Sequence, residues 1–220
     1  MLLQGLEFSG FPGRDSENLR RLDYAGRVEW FTYRFNLVFL TPFRQLIALE
    51  GPGCYVWLCV MELAGAAIHA LANLAIGRGN DHAKFTSFLN VYLPTFASVD
   101  LQLDDPRGGR PNEIARTPAD HFYKFFRNGL AHSFCIDWGG IQHREEIPGL
   151  GPEYLFQTTQ GFNGEHGLGI VPREFVRDFE DGCERVLTAF AVAGPGDPLR
   201  ECFDGTFERV FLGKSRAPLP

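Results

Sequence analysis

Apolar residues recur at three- and four-residue steps along much of the chain, a spacing that predicts helices. Between residues 16 and 40, Leu19, Leu22, Val28, Phe31, Phe35 and Val38 keep this step and would line one face of a helix. Thr41-Pro42 then restarts a helical turn running toward Glu50, with Pro42 at the first helical position, where its missing N–H costs nothing. Gly51-Pro52-Gly53 breaks the chain before a long apolar helix, CYVWLCVMELAGAAIHALANLAI, over residues 54–76. A shorter helix covers 81–92, after which Pro94 and DDPRGGRP (104–111) mark a long loop spanning 94–116.

TPAD at 117–120 is a helix start: Thr117 as N-cap, Pro118 next, and Asp120 three residues after the cap. It opens a helix expected over 117–136. Residues 137–171 are glycine-rich and hold three β-like runs, IQHREEI, EYLFQTT and GLGIV, which predict a small β-hairpin or three-stranded insert. Two further helices, 173–193 and 198–212, each open on a proline and are separated by GPGD. The pattern predicts a mostly α chain, a single domain over 1–220 with five or six helices and a small β-hairpin insert. No internal repeat or low-complexity tract interrupts it.

The 54–76 segment is long enough to span a bilayer and carries one formal charge, Glu62. Glu62, His69 and Asn73 fall on one narrow stripe with Cys59 and Ala66. A charge at mid-membrane costs about 2.5–3.5 kcal/mol, and no second spanning segment exists to receive it. The expected role is a central helix buried on all sides within a bundle, not a membrane span.

Composition changes the picture in three respects. The chain of 220 residues carries a net charge of -6, so no global field attracts nucleic acid and any such site must be local. Its 21 phenylalanines make the expected core unusually aromatic. The five cysteines (54, 59, 135, 183 and 202) are scattered without CxxC spacing, which argues against a disulfide framework or zinc ribbon and fits a reducing compartment. MLLQGLEFSGFPGRDSE has no basic region ahead of an apolar one, so no signal peptide is expected and the expected location is cytoplasmic.

The chemistry concentrates in FYKFFRNGLAHSF, 122–134. Phe122, Phe126 and Leu130 share one helical face, extended by Phe134, and should be core. His121, Phe125, Asn128 and His132 share another. Arg127 lies between them, on the side of Tyr123 and Ala131. Gly129 offers room for close approach of a backbone or phosphate.

RNGLAH, 127–132, resembles the signature of the HEPN superfamily, small α-helical bundles marked by an arginine, a following polar residue that is often asparagine, and a histidine. The arginine–histidine gap here is four residues, and the motif falls late in an apolar helix. The resemblance is carried by about twenty residues and is architectural elsewhere. It implies an antiparallel HEPN-like bundle that cleaves RNA without a metal or cofactor, acting as a toxin or antiviral defence nuclease under an antitoxin or regulatory partner. The implied catalytic residues are Arg127, Asn128 and His132. Histidine, with an ordinary pKa near ~6.5, exchanges protons at neutral pH, and the arginine fork neutralises phosphate oxygens. One motif supplies one histidine, so acid and base roles are expected from two copies in a symmetric homodimer, with His121 and Phe125 in its interface. Glu62 would orient His132 or Arg127, or serve only as the structural partner of a buried Arg or His. Lys124, Arg107, Arg110 and Arg144 would supply local positive charge or simply be scattered surface cations.

A competing reading keeps the same residues as a hydrogen-bonded seam in a non-catalytic binding or scaffold module, since buried polar groups find partners whatever their function. His69, His121, His143 and His166 lack metal-ligand spacing and are expected to be solvated or satisfied. WGG (138–140) and GFNGEHGLG (161–169) read as turns, without a phosphate-loop pattern.

Overall fold

Phenylalanine fills the space between the helices: the twelve largest fully buried side chains are all Phe, from Phe35 to Phe203. Each such burial contributes roughly 1.5–3 kcal/mol, so aromatic packing dominates cohesion. The computed structural model describes residues 16–49, 56–77, 79–107, 114–133, 135–136, 138–160 and 164–213. Cys54, Arg110 and Phe134 lie outside them, as do residues 108–113 within the expected 94–116 loop and residues 161–163 at the start of the GFNGEHGLG turn.

The chain opens with α1 (Ser16–Arg20) and α2 (Tyr24–Phe35), followed by α3 (Thr41–Ala48) and α4 (Val56–Ala75). Asp23 caps α2 by accepting from Gly26 N–H at 2.8 Å. A π-helical segment, Asn36–Leu40, joins α2 to α3 without a break, where the sequence pattern suggests a fresh start at Thr41. Next come α5 (Asp81–Tyr92), capped by Asn80, and a short α6 (Thr95–Ser98) within the expected loop. Thr117 and Asp120 form the expected capping box ahead of α7 (Pro118–His121). The anticipated single helix from 117 is instead α7, a π-helical segment (Phe122–Arg127) and α8 (Asn128–Ser133). The final helices, α9 (Pro172–Val192) and α10 (Pro198–Phe211), both begin on proline as predicted.

The 137–171 region forms a three-stranded sheet of β1 (Gly140–Ile141), β2 (Leu155–Gln160) and β3 (Glu165–Ile170), in the order β1-β3-β2. β2 and β3 pair antiparallel, with Leu155 opposite Ile170, while β1 runs parallel to β3. The predicted run IQHREEI gives only the end of β1 and a 3₁₀ turn at Arg144–Glu146. Arg144 is fixed there by Glu174 at 2.6 Å and by the carbonyl of Gly151 at 2.6 Å.

α4 runs through the middle. Val60, Met61, Ala64, Ala67, Ile68 and Leu71 have no exposed surface. The helix is long and apolar enough to cross a membrane by length and composition. Here its apolar sides are covered by α3, α5, α9, α10 and the helix of the motif, as expected of a core helix. Its remaining stripe holds exposed Cys59 and Ala66 with half-buried Glu62, His69 and Asn73.

Candidate functional site

The Arg127 stem crosses α4 at Gly65. A Cβ on Gly65 would sit 3.3 Å from Arg127 Cγ and 3.5 Å from its Cβ, so the missing side chain makes the close approach available. That crossing carries the guanidinium toward the polar stripe of α4. One guanidinium nitrogen donates to Asn128 Oδ1 at 2.7 Å and the other lies 3.4 Å from Nδ1 of His69. The group also sits 5.7 Å from the centroid of the Tyr123 ring, within the range of a cation–π contact.

Guanidinium has no lone pair to offer. Nδ1 of His69 must therefore accept, and the proton of the neutral imidazole resides on Nε2, which lies 4.0 Å from Asp81 Oδ2. The His69 pKa is lowered, first by burial and then by the charges of Arg127 and Lys84, against a smaller raising effect of Asp81. The ring is neutral at pH 7. Around it, Asn73 donates to the His69 carbonyl at 3.1 Å and accepts from Lys84 Nζ at 3.1 Å. The adjoining His82 ring packs on Tyr123 at 5.0 Å and its Nε2 is 3.0 Å from Asp120 Oδ1. A polar seam therefore joins α4, α5 and the motif.

The other expected site residues divide. Asn128 holds Arg127 through its Oδ1, whereas its i, i+4 spacing from His132 suggests that it would fix that imidazole. His132 is exposed and makes no hydrogen bond or ion pair with another described residue. Glu62 reaches neither Arg127 nor His132; its Oε2 is buried without a hydrogen-bond partner among the described residues. Lys124 is ion-paired with Asp105, whose side chain is 1% exposed. Burial alone would raise the Asp105 pKa. Lys124 and the backbone donors of Ala115 and Arg107 outweigh burial and hold the carboxyl below its ordinary range. Arg107 packs over the Phe125 ring at 5.4 Å. These cations serve the chain itself.

The expected contact face of His121 and Phe125 requires correction, because both residues have no exposed surface. Their rings are 5.1 Å apart within the core. The π-helical segment also splits the expected face: an added residue in a turn rotates everything after it by roughly 100°, so α-helical spacing no longer puts Asn128 and His132 on the side of His121 and Phe125. His121 and Phe125 turn inward with Phe122 and Phe126, whose rings stack at 5.5 Å, while Asn128 and His132 lie beyond the segment on more open surface. Neither His121 nitrogen has a hydrogen-bond partner among the described residues, and burial lowers its pKa to about 4.

His69 is the residue that sequence reasoning did not connect to the motif. The stripe of Glu62, Ala66, His69 and Asn73 was the available signal, but which helix would lie against it is a long-range property.

A cavity of about 650 Å³ lies elsewhere, lined by Asn36, Arg44, Glu180, Asp181 and Glu184 among others. Arg44 is bound to Glu180 at 2.6 Å, leaving an acidic lining that repels a polyanion. Among the described residues, no three His, Cys, Asp or Glu side chains gather as a metal site. Comparison with models of known protein families, with curated proteins and with solved structures gives no match.

Proposed function

We propose that this chain is a metal-independent endoribonuclease of HEPN type, with Arg127, Asn128 and His132 at its site. The observation that carries the reading is the anchoring of Arg127: Asn128 holds the guanidinium at 2.7 Å, while His132, one turn beyond Asn128 in the sequence, stands exposed. An arginine pre-oriented in this way presents a fixed fork to a phosphate with little ordering cost. An exposed imidazole without a partner is free to exchange protons with RNA.

The substrate follows from that chemistry. The attacking group must be a 2′-hydroxyl, so RNA is cut and DNA is not. Positive charge is local, as the overall charge of -6 requires. A homodimer belongs to the proposal, with any contact made by exposed residues beyond the π-helical segment. So does a restraining antitoxin or regulatory partner, which a toxin or defence nuclease would need.

The test uses the wild-type chain on single-stranded RNA in excess EDTA. Cleavage should persist, leave 2′,3′-cyclic phosphate ends, and spare DNA of the same sequence. An absolute requirement for a divalent ion would contradict the reading.

A second reading draws on a different aspect of the same geometry. Arg127 already has partners in Asn128 and His69, as a purely structural seam in a binding or scaffold module would. Under that reading, Arg127→Ala destabilises the fold and no RNA is cleaved.

A further inference from the structure

The geometry points to His69 as a catalytic base that works with Arg127 of the same chain, with a His132 imidazole as the acid. The inference rests on the endoribonuclease reading and adds a residue outside the RNGLAH motif. It begins from the 3.4 Å approach of the Arg127 guanidinium to Nδ1 of His69. That approach places an imidazole lone pair against the group that would bind the scissile phosphate. The His69 side chain is 24% exposed, and exposed Ala66 lies one turn before it on the open stripe of α4. A strand of RNA can therefore reach the ring.

In the unliganded chain the Nδ1 lone pair is occupied by Arg127. A phosphate oxygen is a charged and stronger acceptor than a neutral imidazole, so bound RNA draws the guanidinium toward itself and frees Nδ1. The ribose 2′-hydroxyl then gives its proton to Nδ1 as the O2′–P bond forms. The P–O5′ bond breaks, and the departing 5′-oxygen takes a proton from the His132 imidazolium. The products are a 2′,3′-cyclic phosphate and a 5′-hydroxyl. His69 leaves the step protonated and His132 neutral, and exchange with water restores both. No oxidant, metal or further reactant enters. Asp81, 4.0 Å from Nε2, favours the imidazolium that forms, while Lys84 and the returning Arg127 oppose it and drive proton release.

The experiment compares wild type, His69→Ala, His69→Gln and His132→Ala on a single-stranded RNA. It also uses the same RNA carrying a sulfur in place of the bridging 5′-oxygen at the cleavage site. A thiolate leaves without needing a proton, so this substrate bypasses the acid and retains the need for a base. Both His69 variants should cleave ordinary RNA at least about 100-fold more slowly, keep wild-type cooperative unfolding, and remain slow on the sulfur substrate. His132→Ala should recover toward wild type on the sulfur substrate alone.

Wild-type rates in His69→Gln, or recovery of His69→Ala on the sulfur substrate, would overturn the assignment while leaving the endoribonuclease reading in place. An inactive wild type would overturn the endoribonuclease reading and this assignment together.

Discussion

Gly65 and Arg127 touch across the α4 crossing, with an ideal Gly65 Cβ only 3.3 Å from Arg127 Cγ. The glycine lies inside a regular helix, where it weakens α4 by roughly 0.5–1 kcal/mol relative to alanine. Its presence there is explained by the arginine stem that passes over it.

Gly65→Ala therefore separates stability from activity. The added methyl strengthens the helix but shifts the Arg127 stem by a few tenths of an ångström. Unfolding midpoints should hold or rise, while RNA cleavage falls about tenfold because the guanidinium is misplaced. Urea unfolding and cleavage rates measured side by side check this. Undiminished cleavage would mean that the position of Arg127 does not matter.

His121 should make the fold sensitive to acid. Its pKa falls from 6.5 to about 4 on burial, so between these values the unfolded chain binds more protons than the folded one. Stability then decreases as pH falls through that window, by about 3 kcal/mol at most for this group. His121→Phe removes the titration and two unsatisfied nitrogens while keeping a ring against Phe125. Urea unfolding at pH 7 and pH 5 should show a flatter dependence in the variant and equal or greater stability at pH 7. An identical pH dependence in both proteins would remove His121 as the cause.

The β insert is tied to α9 by Tyr154, whose hydroxyl donates to Asp178 Oδ2 at 2.7 Å. Burial raises the Tyr154 pKa, with the Asp178 charge adding to the effect, so the hydroxyl stays protonated throughout. Tyr154→Phe should cost about 1–3 kcal/mol, since the carboxylate loses a donor in a buried setting. Arg185, 3.2 Å from the other oxygen, limits the loss. Cleavage of RNA should be unchanged, and a fall in activity without a fall in stability would contradict the purely structural role.

The helix boundaries were legible where chemistry is local. Thr117 and Asp120 marked the start of α7, Pro172 and Pro198 opened the last two helices, and alternating apolar runs marked β2 and β3. The π-helical segments were not legible, because Asn36–Leu40 and Phe122–Arg127 carry the same apolar spacing as the helices around them. Plain α-helical spacing therefore puts Asn128 and His132 on one face with His121 and Phe125, which the structure separates. The parallel pairing of Gly140 with Gly169 and the approach of His69 to Arg127 escaped for another reason. Both join segments far apart in the chain, and nothing near either residue announces its partner. Glu62 was rightly placed on the stripe of α4, yet which side chain it would meet could not be read from spacing.

The most direct measurement is the cleavage rate of a 5′-labelled single-stranded RNA in excess EDTA by wild type, Arg127→Ala and His132→Ala, each first shown to unfold cooperatively. The account predicts cleavage by the wild type and rates at least about 100-fold lower in both variants. Equal rates in all three proteins, or intact RNA in all three, would contradict it.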